Sequence, residues 1–390
     1  MLFKWKRRKR RKKSVRLRVS NIKELFRKFE TNKINYVVLR WFDEVPLTPK
    51  EETDFGSDND IDILIDTEDI KLLASIASQH PGKIRCDLFN PTGRRGLSFS
   101  KMPYYPPTLA SLIISKSQRY KDSFNIPEPL TYFRSLAYHL TYHKGLYSGI
   151  TTGCHLKSFP DAKRDYGKLL AELGQSLNIE IEQPYTLLAI HEYLQKTEWS
   201  MPFDLLKRWP QKSEWLDFLL QQESEQLKPW AEKLPHLMVF FVRQDIIEYG
   251  KTETVYKMLS EKFHIIKKEE LKPQQTQRVL SQVRGGNWVA HNGTWTITPK
   301  IAVICYDFNP VTPDTDDQEK MKNYPHVENK NIFHKHDIRL RLAKTSDTPD
   351  QVFGIHGSDN AYEAQNMLHA IYAEKTPQIN QEIFESLQKK

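Results

Sequence analysis

The clearest one-by-one alternation of apolar and polar residues in this chain is Ile61-Asp62-Ile63-Leu64-Ile65, with Asp60 just before it. A strand turns successive side chains to opposite faces, so the isoleucines are expected on one face and Asp60 and Asp62 on the other. Two further apolar runs flank it, residues 36–40 before and 83–89 after, the second with Asp87 at its middle. Residues 21–29 and 69–79 instead repeat their apolar positions every three or four residues, which predicts amphipathic helices, with Asn21 placed to cap the first. The N-terminal part therefore reads as helix, strand, loop, acidic strand, helix, acidic strand.

From residue 127 onward helical spacing dominates. Residues 127–146 read as one helix that sets His139 and His143 on the same face at i, i+4, which suits either packed imidazoles or a shared metal, without the intervening Glu of a zinc-protease helix. Residues 166–177, 185–194, 204–209, 213–222 and 229–249 continue the pattern, with prolines between them and Trp199, Trp209, Trp215 and Trp230 as core. After a helix at 252–261, strands are expected at 263–266 and 301–307, with tight turns at 284–288 and 291–293. A polar loop at 312–335 is long enough to be functional or unstructured. The expected fold class is multi-domain α+β: a basic tail at 1–20, a mixed sheet with helices at 21–155, a helical module at 156–250 and an α+β domain at 251–390.

Length and composition agree with several cores, since 390 residues suit two or three domains of roughly 100–200 residues each. No apolar run approaches the roughly 20 residues that span a bilayer. Cys86, Cys154 and Cys305 are scattered and odd in number, which excludes a disulfide framework and fits a reducing, cytoplasmic setting. The net charge of +9 is local: 11 basic residues and no acidic ones lie between Lys4 and Arg18, so the rest of the chain is slightly negative. That excludes the domain-wide basic face of a typical nucleic-acid binder. The tail itself, with Leu2, Phe3 and Trp5 among its cations, suits attachment of residues 4–18 to an anionic membrane surface or to nucleic acid, or no partner at all. It lacks the apolar segment of a signal peptide. Attachment to lipid would place the chain at the inner membrane face.

The order of these strands, with Asp60, Asp62 and Asp87 on them, resembles the nucleotidyltransferase fold of the DNA polymerase beta superfamily over about residues 30–100. The resemblance implies that Asp60 and Asp62 hold Mg²⁺ or Mn²⁺, and that Asp87 is a third ligand or the general base toward an acceptor hydroxyl. A nucleoside triphosphate would be the substrate and a small molecule or sugar the acceptor. The family carries a Gly-Gly or Gly-Ser pair after its first strand, where this chain has Arg40-Trp41-Phe42-Asp43; Gly56-Ser57 comes later, beside the aspartates. Arg40 can supply positive charge in place of backbone N–H groups, and Arg40, Ser57 and Arg94 are the candidate nucleotide-binding residues. The whole arrangement is also similar to uncharacterised bacterial proteins of surface-polysaccharide clusters.

A second segment, Ile355-His356-Gly357-Ser358-Asp359 followed by a helical pattern at 361–368, resembles the active-site segment of nucleoside diphosphate kinases. That likeness implies a ferredoxin-like domain, His356 as phosphoryl carrier and Arg339 as phosphate ligand, with Asn309-Pro310 matching a step before the family's arginine. The family's Asn three residues before the histidine is Phe353 here, and its acidic residue eleven after is Met367. Two other readings stay open: a binding domain of the same fold, and a strand-to-helix turn capped by Ser358 and Asp359. A non-catalytic scaffold tethered by the basic tail is the alternative from a different functional class.

Overall fold

The computed structural model describes residues 15–56, 59–159, 164–210, 213–284, 288, 298–324, 326–345 and 354–389. The chain forms two compact units, one up to Ser200 and the other from Met201. That division falls inside the stretch read as a helical module.

In the first unit the elements run β1 (Arg16–Val19), α1 (Ile22–Thr31), β2 (Tyr36–Val38), α2 (Pro49–Asp54), β3 (Ile61–Ile65), α3 (Ile70–Gln79), β4 (Ile84–Phe89), α4 (Pro107–Ser115), β5 (Ser117–Tyr120), β6 (Phe124–Pro127), α5 (Pro129–Tyr138), α6 (Tyr166–Ser176) and α7 (Leu187–Lys196). Four strands form a mixed sheet in the order β1-β4-β3-β2, and β5 pairs with β6. β3 and β4 are parallel, as a connection through α3 permits, and both outer pairings are antiparallel. The alternation of β3 acts as expected: Ile61, Ile63 and Ile65 pack with Phe26 and Phe29 of α1 and Leu73 and Ile76 of α3. α1 begins where Asn21 accepts the Glu24 N–H at 3.1 Å, and α3 where Asp69 accepts from Lys71 and Leu72.

Two expectations change here. The segment 16–19, counted with the basic tail, is an edge strand: Leu17 and Val19 are buried in the core, so Arg16 and Arg18 are the outward half of an alternating strand. The loop expected over 43–57 contains α2, which Thr48 and Glu51 start with a reciprocal capping box.

The second unit runs α8 (Phe203–Arg208), α9 (Glu214–Lys233), β7 (Leu237–Arg243), α10 (Gln244–Glu248), α11 (Thr252–Ser260), β8 (His264–Glu270), α12 (Pro273–Gln282), β9 (Pro299–Tyr306), α13 (Gln318–Asn323), α14 (His334–Lys344), β10 (Ile355–Gly357), α15 (Ala361–Tyr372) and α16 (Thr376–Gln388). Its sheet has the order β10-β7-β9-β8 with every neighbouring pair antiparallel. The helix expected over 229–249 is overturned, because Leu237–Arg243 is the sheet's most buried strand. Met238, Phe240 and Val242 pack toward α11 and α14, while Leu237, Val239 and Phe241 pack toward α12 and α15. Burial on both faces removes the alternation that would have marked it as a strand. The long polar segment 312–335 is anchored rather than loose: Asn329 and Asn331 donate to the buried Asp307 at 2.6 and 2.8 Å.

The glycine of His-Gly-Ser-Asp has a packing reason. A Cβ on Gly357 would lie 2.6 Å from the ring of Phe240, which is fully buried. Gly357→Ala is expected to cost about 1–3 kcal/mol through overpacking, read as a lower urea midpoint with unchanged slope.

Candidate functional site

Because β3 and β4 are parallel and in register, Asp62 stands directly beside Asp87, their Cα atoms about 4.8 Å apart in such a ladder. Both lie on the face opposite the isoleucine core, and Asp60 precedes them at the start of β3. Of the three carboxylates nominated from the sequence, the register sets Asp62 and Asp87 side by side, and Asp60 immediately precedes β3. Each has its own guanidinium: Arg85 donates to Asp60 at 2.5 Å, Arg40 to Asp62 at 2.6 Å and Arg16 to Asp87 through two bonds of 2.5 and 3.0 Å. The site is thus three acids interleaved with three arginines.

The three pairs differ in burial. The Arg40 side chain is 7% exposed, whereas those of Arg85 and Arg16 are 25% and 42% exposed. Burial pushes the Asp62 carboxyl above its ordinary range, and the neighbouring charges of Asp60 and Asp87 add to this against the pull of Arg40. Burial also disfavours the charge on Arg40, yet Asp62 and Tyr104 outweigh it and keep the guanidinium protonated.

Arg40 is held from behind by residues the sequence did not single out for this role. Its Nη2 donates to the Tyr104 hydroxyl at 2.8 Å, and that hydroxyl lies 2.6 Å from Nδ1 of His139. A guanidinium only donates, so the tyrosine hydrogen is available to Nδ1, which suits a neutral imidazole carrying its proton on Nε2. His143 makes a different bond, Nε2 to the Tyr104 carbonyl at 2.9 Å, and its ring stacks on Tyr104 at 4.1 Å. The two histidines sit in a π-helical turn, His139–Lys144, and serve as packing and hydrogen-bonding groups.

These buried histidines make a prediction about pH. Burial, with Arg40 nearby, holds His139 well below its ordinary value of 6.5; burial pushes His143 down to about 3 and His191 to about 4. Depressed histidines bind protons in the unfolded chain before the folded one, so their contribution is complete above pH 6.5 and is lost as pH falls toward 4. Each proton taken up on unfolding adds about 1.4 kcal/mol per pH unit to the slope. Urea melts at intervals from pH 8 to 4.5 are expected to be flat above about 7 and to fall steeply below about 6.

The other nominated residues are placed as follows. Arg94 lies in the turn after β4, a turn closed by Asn90, which accepts from Gly93 at 2.8 Å. Arg16, Arg40 and Arg85 are the guanidiniums seen bonded to Asp87, Asp62 and Asp60 among the described residues. Ser57 lies outside the described residues. Arg339 donates to the Ile355 carbonyl at 2.8 Å on β10, and the His356 ring meets the edge of Trp288 at 5.4 Å. The carboxylates that follow His356 are engaged elsewhere: Asp359 accepts from Lys335 at 2.5 Å, and Glu363 accepts from the Asp359 N–H at 2.9 Å.

At the place where the resembling family carries glycine, Trp41 takes a left-handed backbone, φ 58°, at a cost of roughly 1–2 kcal/mol for a residue with a side chain. Its indole lies 3.9 Å from the Arg164 guanidinium, which is paired with Glu44. A small open depression, with a cavity volume of about 10 Å³, lies among Arg40, Trp41, Phe55, Asp60 and Arg164. Asp60 is therefore both a member of the acidic trio and a wall of the depression.

Three carboxylates are the hard oxygen donors that Mg²⁺ or Mn²⁺ prefers, so the chemistry of the set fits a divalent cation. Among the described residues no three acidic, histidine or cysteine side chains converge as ligands, since each carboxylate is turned to its arginine. Among the same residues no helix is long and apolar enough to cross a membrane. No protein-family model, curated protein or solved structure matches the chain.

Proposed function

We propose that the first unit is a nucleotidyltransferase-like domain that moves a nucleotidyl group from a nucleoside triphosphate to a small-molecule or sugar acceptor. The observation that carries the reading is the register of Asp62 and Asp87 on parallel strands, with Asp60 lining a small adjoining depression. Asp60, Asp62 and Asp87 would hold Mg²⁺, which supplies charge neutralisation at the transferring phosphate when bound. The half-exposed Arg16 and Arg85 are the partners that can yield their carboxylates, and both guanidiniums then suit phosphate oxygens. Arg40, fixed by Tyr104, stays on Asp62 and keeps it oriented. Asp87, on β4 between β1 and β3, is the residue positioned to accept an acceptor hydroxyl proton.

The strand order of the second unit supports a ferredoxin-like reading of its sheet: numbered within the unit it is 4-1-3-2, all antiparallel. A binding domain is the reading we favour for it, because Gly357 and Asp359 both have packing roles that need no phosphoryl chemistry. Titrating each nucleoside triphosphate into the full chain with and without Mg²⁺, by calorimetry, tests the proposal. Saturable, Mg²⁺-dependent binding that Asp60→Asn weakens supports it. Absence of binding for every nucleotide removes it.

A further inference from the structure

On the acidic face of the first unit's sheet the charged residues fall in two rows. The register sets Arg16, Asp87 and Asp62 across β1, β4 and β3 in one of them. In the other, Arg18 stands opposite Arg85, and Asp60 lies on the β3 side of Arg85, which donates to it at 2.5 Å. Leu88 donates to the Val15 carbonyl, so positions 15, 17 and 19 are the hydrogen-bonded ones and Arg18 and Arg85 form a non-hydrogen-bonded pair. Side chains stand closest in such pairs, with Cα atoms about 4.5 Å apart.

Like charges directly opposite each other weaken a ladder, so two arginines in this place act against the fold. Arg18 is exposed, and among the described residues its side chain makes no hydrogen bond or ion pair. Leu17 and Val19 supply the buried half of β1, so Arg18 is not needed for the core. The Arg85 side chain is 25% exposed, and its Nε is buried without a hydrogen-bond acceptor. Residues 15–20 and 83–89 are all described, and the acidic one among them, Asp87, is held by Arg16. An anion between the two guanidiniums would replace their repulsion with attraction to both.

We propose that Arg18 and Arg85 bind a phosphate monoester carried by the acceptor. This rests on the nucleotidyltransferase reading of the same face, and it narrows the acceptor to a phosphorylated small molecule in place of a neutral sugar. Position decides which substrate the pair serves. The depression that Asp60 lines with Arg40 and Trp41 lies toward β2, whereas Arg18 is on β1, at the opposite edge of the sheet. Asp87, the residue assigned to the acceptor hydroxyl, is two positions from Arg85 on β4. Guanidinium forks match the paired oxygens of a phosphate through charge-assisted bonds. The phosphate is a handle and does not react: the acceptor hydroxyl oxygen bonds to the α-phosphorus, the bond to pyrophosphate breaks, and the hydroxyl proton passes to Asp87.

Calorimetry of the full chain with glycerol phosphate, and with glycerol for comparison, tests the site without turnover. Saturable binding of glycerol phosphate with a dissociation constant of about 1 mM or tighter is expected, and none of glycerol. Arg18→Gln is expected to weaken binding about 10-fold and Arg18→Lys by less. Lys71→Gln, on the helix that covers the opposite face, should leave it unchanged. A saturating, non-hydrolysable nucleoside triphosphate with Mg²⁺ should leave glycerol phosphate bound. Displacement by that nucleotide would assign the pair to the nucleotide's own phosphates and overturn the proposal. So would binding indifferent to Arg18→Gln, or no saturable binding up to about 20 mM. If no nucleotide binds while Arg18-dependent phosphate binding persists, the transferase reading falls and takes the acceptor role with it; if nucleotide binds and the Arg18 dependence is missing, this inference falls alone.

Discussion

Asp62→Asn is expected to lower Mg²⁺-dependent nucleotide turnover by about 10³-fold while leaving the fold in place. The asparagine keeps the shape of the side chain and one oxygen that can accept from Arg40, so the Arg40–Tyr104–His139 chain retains its contacts. What it removes is a negative charge at the centre of the trio, a carboxylate on which the charges of both Asp60 and Asp87 act. Asp87→Asn is expected to be nearly as damaging. Arg16→Met, which frees Asp87 from a partner that is 42% exposed, should cost the fold about 1 kcal/mol or less and act instead by weakening nucleotide binding, since it removes a guanidinium suited to phosphate oxygens. The measurement is pyrophosphate release under saturating Mg²⁺, alongside thermal unfolding to show that each variant is folded. Wild-type turnover in folded Asp62→Asn would remove the first unit's proposed chemistry.

How much of this site could be read beforehand follows from where its information lies. The acidic face of β3 was legible because Ile61, Ile63 and Ile65 alternate with Asp60 and Asp62 in the sequence, although Leu64 on the acidic face is itself fully buried. Arg85 was legible by the same rule: it is two residues before Asp87 in Arg85-Cys86-Asp87 and must share its face. Arg16 was hidden because it sits at the end of a dense basic run, where one functional arginine looks like its neighbours. Tyr104 meets Arg40 from 64 positions away and His139 meets Tyr104 from 35 positions away, and no local spacing encodes such contacts. The same limit explains β7. A strand covered on both faces presents a continuous apolar run, and only its β-branched and aromatic content, Val239-Phe240-Phe241-Val242, argues against a helix.

Lys335→Met is expected to destabilise the second unit by about 3–5 kcal/mol, the usual cost of stranding one member of a buried ion pair. The side chains of Lys335 and Asp359 are 4% and 6% exposed and meet at 2.5 Å. Burial works against the Asp359 carboxylate, but Lys335 and Arg208 outweigh it and hold its pKa below the ordinary 3.8. Asp359 therefore adds stability above that value, which is lost as the pH falls through its lower folded pKa. Lys335 also donates to the Gly357 carbonyl at 3.3 Å, next to the bond from Arg339 to Ile355, so two α14 side chains serve the outer edge of β10 in place of another strand. Asp359 is thus a buried counter-ion, and the helix cap is Asn360, which accepts the Glu363 N–H at 3.0 Å. Lys335→Met combined with Asp359→Asn should recover much of the loss, since no uncompensated charge is left inside, although Arg208 then loses one of its acidic partners. Hydrogen exchange of the β7 amides reports on this unit alone. A loss below about 1 kcal/mol in Lys335→Met would show that the pair is solvated, and the His-Gly-Ser-Asp segment would then need an account other than packing.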